Sequence, residues 1–223
     1  MTVSQNVKKL LESLPEKNAF GEKITLVGAV KLQSPQDINE AITAGLTDIG
    51  DNHVQEFRDK FSLIEGNPKR HFIGRLQTNK IKYLLGKVDL YHSVDRMNLA
   101  EELSKKSSNA GVISNILIQI NIGNEETKGG FDFEEAENAY EKIKAMPALK
   151  IEGLMCMLPD TDDYALLETL AANMRGLYDK LRKTDANFKY LSMGMSGDYK
   201  LCLEAGSNTI RLGTAIFGTR KYN

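Results

Sequence analysis

The strongest constraint on this 223-residue chain is the order in which its apolar segments alternate. Short runs rich in β-branched residues take turns with longer stretches of helical periodicity. The runs that read as strands are Ile24 to Lys31, Asp48 to Asp51, His71 to Gly74, Leu90 to Val94, Ile116 to Asn121, Ile151 to Met155, Tyr190 to Met193 and Thr209 to Gly213. Between and after them, apolar spacing predicts helices over 34–45, 54–64, 79–85, 99–107, 133–146, 164–181 and 199–205. Such alternation implies parallel strands joined by helical crossovers, and eight units close into an α/β fold, the (β/α)8 TIM barrel. A doubly wound open sheet is the alternative. Val3, Val7, Leu10, Leu11 and Leu14 predict one extra N-terminal helix, stopped by Pro15. Ser34-Pro35-Gln36-Asp37 supplies a cap, a first-position proline and a first-turn acid for the next helix. No Pro/Gly-rich linker or composition shift interrupts residues 1–223, which read as a single domain.

Composition enters as a set of exclusions. Hydrophobic residues make up 41% of the chain and charged residues 26%, enough to bury a full core. A net charge of -1 argues against nucleic acid or an anionic membrane as the main partner. Cys156 and Cys202 both lie in apolar segments and read as buried thiols, as in a reducing cytoplasm. The N-terminal stretch lacks the apolar core of a signal peptide, and no run approaches the roughly 20 apolar residues of a membrane span. No exposed apolar repeat is evident, so a monomer is expected.

In barrels, chemistry sits at the C-terminal ends of the strands. Lys31 ends the first strand. Burying an ammonium is costly, so a lysine buried there would favour the neutral amine, which can form an imine with an aldehyde; the alternative is a side chain that bends out to solvent. Ser192 to Ser196 and Arg211 to Thr214 are Gly-containing segments after the last two strands. Backbone amides and a hydroxyl at such turns suit a phosphate, although tight turns alone would also use glycine. His53, His71 and His92 lack metal-ligand spacing and read as structural or solvated. Cys156 has no evident activating partner.

Four stretches carry a resemblance: Asp51 to Glu56, His71 to Lys80, Leu191 to Ser196 and Ile210 to Gly218. Together they resemble the pyridoxal phosphate homeostasis protein family, single-domain relatives of the alanine racemase barrel, over about residues 24–220. The resemblance implies that Lys31 holds pyridoxal 5'-phosphate (PLP) as an internal aldimine. It implies a phosphate cradle of Ser196, Gly213 and Thr214, and Arg211 beside the pyridine nitrogen. Asn52 matches the family asparagine near the cofactor ring, and Met157 sits where racemases place a ring-stacking side chain. Lys128, in a loop similar to the family's, is either near the cofactor rim or solvated. Three departures stand out. The family's usual Val-Ser-Lys-Thr is here Ala29-Val-Lys31-Leu32, Arg75 occupies a position that is often His or Pro, and Asp51-Asn-His53 replaces the more usual Glu-Asn-Tyr.

The implied function is intracellular PLP carriage or buffering, without robust catalysis, with PLP-dependent apo-enzymes as possible recipients. A guanidinium at the ring nitrogen should keep it unprotonated and disfavour the quinonoid that most PLP chemistry needs. A slow amino-acid racemase using Lys31 is one competing reading. A class I aldolase, with the Schiff base on substrate, is another.

Overall fold

The computed structural model describes residues 1–218. Nine strands form: β1 (Thr25–Ala29), β2 (Asp48–Asp51), β3 (Lys69–Phe72), β4 (Leu90–Val94), β5 (Ser114–Asn121), β6 (Phe131–Asp132), β7 (Leu149–Cys156), β8 (Tyr190–Ser192) and β9 (Thr209–Leu212). The helices are α1 (Val3–Ser13), α2 (Pro35–Thr43), α3 (Val54–Lys60), α4 (Met97–Ala110), α5 (Ala136–Lys144), α6 (Tyr164–Arg182), α7 (Tyr199–Glu204) and α8 (Thr214–Phe217). Eight of the strands, all parallel, close a ring in the order β1-β2-β3-β4-β5-β7-β8-β9, with β9 returning to β1. This is the expected TIM barrel. The open-sheet alternative fails because β4 pairs with β5 and β1 with β9.

Local chemistry explains most element ends. Thr2 and Gln5 form a capping box on α1, and Ser34 accepts the Asp37 amide at the start of α2. Gly111 ends α4 in the left-handed conformation. The register slips once between β5 and β7, where Gly153 sits at φ 149 and a Cβ would collide with the Tyr190 carbonyl. That bulge is open only to glycine.

Several expected boundaries are corrected. β1 ends at Ala29, where its ladder with β2 stops, so Lys31 lies in the following turn and is half-buried rather than buried in a strand. The segment expected as a helix over 79–85 is a 3-10 helix, Thr78–Tyr83. The helix expected over 54–64 becomes α3 plus a 3-10 turn at Phe61–Leu63, and that over 133–146 starts with a 3-10 turn before α5. The two-residue strand β6, added beside β5, was not anticipated.

α1 closes one side of the barrel. Val7 and Leu10 pack with Ile38, Leu212 and Ile216. Asn6 donates to the Ile216 carbonyl at 2.9 Å, and the Ser4 amide donates to Glu40 at 2.8 Å. The extra helix thereby braces α2 and α8, and α8 begins with Thr214. Among the described residues, no helix is long and apolar enough to cross a membrane.

Candidate functional site

Parallel strands around a ring all end at one rim, so the turns that follow them face a common space. Ala29 is the last residue of β1, and Lys31 follows two residues later. Leu32 takes φ 60, an uncommon left-handed conformation for a branched apolar residue. Its amide donates to Glu56 Oε2 at 2.8 Å, and Glu56 also accepts from Lys60 at 2.8 Å. α3 thus holds the tight turn that follows Lys31. Val30 is buried in the apolar core and Leu32 is 62% exposed, so neither residue flanking the lysine contributes a polar contact from its side chain.

Asn52 follows β2. Its backbone runs so close to Gly74 that any Cβ at position 74 would collide with the Asn52 carbonyl. After β9, Gly213 leads into α8, whose first residue is Thr214. The first N–H groups of a helix lack intrahelical partners. After β8, the Met195 amide donates to Asp198 Oδ1 at 2.6 Å, which folds the Ser196-Gly197 turn over the same rim.

All seven residues singled out from the sequence line one cavity of about 400 Å³: Lys31, Asn52, Met157, Ser196, Arg211, Gly213 and Thr214. Such a volume lies within the range of small-molecule pockets. Ala29, Gln33, Ile73, Met195, Gly197 and Gly218 also line it and were missed. Their sequence signal is weak, because small or apolar rim residues look like any loop. Arg75 and Lys128 lie elsewhere. Arg75 pairs with Asp95 at 3.4 Å from an exposed position, and Lys128 bonds the Leu158 carbonyl at 3.0 Å and pairs with Glu125 at 2.5 Å.

Arg211 is only 5% exposed. Nη1 donates to the Ser192 carbonyl at 2.9 Å and to Ser192 Oγ at 2.5 Å, and Nη2 donates to the Cys156 carbonyl at 2.9 Å. Its hydrogen-bond partners are thus a hydroxyl and two carbonyls, with no ion pair to Glu204 of the nearby α7. Burial pulls the guanidinium below its ordinary range, against the pull of nearby acidic groups. Guanidinium nonetheless stays charged in proteins.

Behind Arg211 a line of polar side chains crosses the barrel interior, beside a small apolar cluster of Leu90, Leu117 and Met155. Ser192 Oγ lies 3.0 Å from His92 Nδ1, His92 Nε2 lies 2.8 Å from His71 Nδ1, and His71 Nε2 lies 2.9 Å from Asp48 Oδ1. Burial, with the neighbouring His71 and Arg211, holds His92 well below its usual range. Burial alone would raise Asp48, but hydrogen bonds from His71 and Thr47 outweigh it and leave the carboxyl below the ordinary value. His71 and His92 are therefore buried and engaged with each other. Cys156 and Cys202 are free, buried thiols, and burial pushes Cys156 up to about 12.

A parallel barrel with a lysine turn after its first strand and glycine turns after its last two defines a class, the alanine racemase type of barrel. The family model described as alanine racemase, N-terminal domain, matches residues 21–221. Alanine racemase from Clostridium difficile 630 superposes with a TM-score of 0.79 at 16% identity, covering 99% of this chain and 56% of that one, a likeness of fold alone. Closer relatives narrow the class. The pyridoxal phosphate homeostasis protein of Aquifex aeolicus is 39% identical over the whole of both chains, and that of Pasteurella multocida is 33% identical over the whole of both. PipY of Synechococcus elongatus PCC7942, with PLP bound, has a TM-score of 0.82 at 27% identity, covering 97% of this chain and 100% of that one. The chain belongs to the pyridoxal phosphate homeostasis protein family.

Proposed function

We propose that this chain binds PLP in the rim cavity and holds it as an intracellular carrier or buffer, without robust turnover. The observation that carries the reading is the convergence of an amine, two hydroxyls, a glycine turn and a permanent cation from separate segments on one cavity of about 400 Å³. That donor set fits the cofactor. Lys31 Nζ would hold the cofactor through its aldehyde carbon, with water as the leaving group. Ser196, Thr214 and the Gly213 turn take the phosphate, and charge-assisted hydrogen bonds of this kind are among the stronger ones. Asn52 and Met157 border the ring. Bound PLP supplies an electron sink whose strength depends on protonation of its ring nitrogen. Arg211, a cation lining the same cavity, would disfavour protonation of that nitrogen and weaken the sink. The family name given to the relatives agrees with a homeostatic rather than a catalytic role.

The test is the visible spectrum of the purified protein loaded with PLP. A visible band should appear, bleach with borohydride, and leave a pyridoxyl label on Lys31 after peptide mapping. Lys31→Ala should lose the band while keeping the fold. Thr214→Val should weaken PLP binding by roughly tenfold or more, as the loss of one ~1.5 kcal/mol hydrogen bond to a charged group does. Label on another lysine, or equal affinity for pyridoxal and PLP, would sink the site assignment. Sustained racemisation of alanine by the pure protein would sink the carrier half and favour the racemase.

A further inference from the structure

Asp48, His71, His92 and Ser192 take no part in the cavity, yet they cross the barrel interior as one connected line of hydrogen bonds ending on Arg211. The direction of each bond follows from the one before. Arg211 Nη1 can only donate, so Ser192 Oγ accepts from it at 2.5 Å. The buried Ser192 proton then has one partner left to satisfy it, His92 Nδ1, 3.0 Å away. With Nδ1 accepting, neutral His92 carries its proton on Nε2 and donates to His71 Nδ1 at 2.8 Å. His71 in turn carries its proton on Nε2 and donates to Asp48 Oδ1 at 2.9 Å. In this arrangement every bond has one donor and one acceptor, neither histidine needs a second proton, and the line runs from a guanidinium to a carboxylate. Reversing it would strand the buried Ser192 proton and set a bare His71 nitrogen against Asp48, unless His71 took a second proton.

The charges at the two ends make sense of the line. Arg211 is a buried cation with no ion pair among the described residues, a costly arrangement on its own. A carboxylate placed directly against it would engage the N–H groups that face the cavity. Of the five guanidinium donors, three are engaged by Ser192 and Cys156, which leaves donors on Nη2 and Nε for a ligand. We propose that Asp48, His71, His92 and Ser192 act as positioning residues, a one-way hydrogen-bonded chain that gives Arg211 a remote counter-charge and locks its guanidinium toward the cavity. The consequence for PLP rests on the reading of Arg211 given above, but the chain itself does not.

Two experiments test this. Imidazole nitrogen NMR of the unloaded wild-type protein should find both His71 and His92 neutral and protonated on Nε2 at pH 7. A charged ring, or an Nδ1–H tautomer at either residue, overturns the chain whether or not PLP binds. In the PLP-loaded protein, Asp48→Asn keeps the shape but removes the counter-charge. It should shift the visible band and weaken PLP binding by about tenfold, or ~1.4 kcal/mol. His92→Asn, which keeps a partner for Ser192 but cuts the link to His71, should give the same shift. A merely structural role would lower the melting temperature of both variants and leave band and affinity as in wild type, and that result overturns the proposal. Failure of wild type to take up PLP would count against the function proposed above, while the NMR result still decides the chain.

Discussion

On β3, His71 faces the barrel interior while its neighbour Phe72 packs among the helices. The same division holds on β4 between His92 and Tyr91, and on β9 between Arg211 and its neighbours Ile210 and Leu212. On these three strands one face carries hydrogen-bonded polar groups and the other carries the apolar jacket, while Leu90, Leu117 and Met155 form a small apolar cluster of their own inside the ring. The jacket is held by non-directional burial, to which each methylene contributes about 0.8 kcal/mol, and it tolerates changes of partner. The interior depends on each donor meeting its acceptor, so it tolerates few alternatives and fixes side-chain orientation. Stability is concentrated outside the ring and orientation inside it.

Phe72→Ala should give the largest effect. The side chain is buried to 1% exposure in the main apolar cluster, and removing it should cost about 3–5 kcal/mol. Urea unfolding should show that loss, while the protein still folded keeps its affinity for PLP. If affinity falls in parallel, the division between the two faces is wrong.

The interior should instead announce itself through pH. His92 is held below its usual value of 6.5, so the folded state leaves it neutral where the unfolded chain would take a proton. Stability from this residue is present above about pH 6.5 and is lost below it, at up to ~1.4 kcal/mol per pH unit. Asp51 opposes the trend. Burial raises it from 3.8 to about 6, against the pull of Lys60 and Arg70, so the folded state binds its proton first and gains stability as pH falls through 6. Asp51→Asn should therefore steepen the acid loss between pH 6.5 and 5, read from urea midpoints at constant salt. An Asp51→Asn profile no steeper than wild type would refute this opposition. The smallest effect belongs to neither face. Lys180→Ala removes an exposed pair with Glu137 and should change stability by less than about 0.5 kcal/mol.

The alternation that made the jacket legible also hid the interior. Apolar residues at strand and helix spacing announce the barrel because burial needs only the right kind of residue at the right period. The Asp48–His71–His92–Ser192 line needs particular partners up to 100 residues apart, and no periodicity encodes that. Spacing placed His71 and His92 on strands and left their partners open. At the rim, the glycine turns and Lys31 were visible because each breaks a local pattern, whereas Ile73 and Met195 break none. Lys31 lies beyond the strand that its apolar run predicts: the run continues through Val30, but the ladder with β2 ends at Ala29. Spacing predicts a helix near Thr78–Tyr83 but not its 3-10 form, because the run is too short for spacing to separate the two.

The seam between β1 and β9 has a kinetic meaning. Thr25 pairs with Thr209, and farther out Asn6 reaches Ile216 across 210 residues. Closing so long a loop carries a large entropic penalty and slows the step that depends on it. A chain emerging from the ribosome cannot join these strands until nearly its whole length is available. Lys31 follows one strand of the seam, and Arg211, Gly213 and Thr214 lie on or just after the other, so no partly folded intermediate lacking the seam contains the cavity. Appearance of the visible PLP band during refolding would then clock closure of the ring rather than collapse of the core.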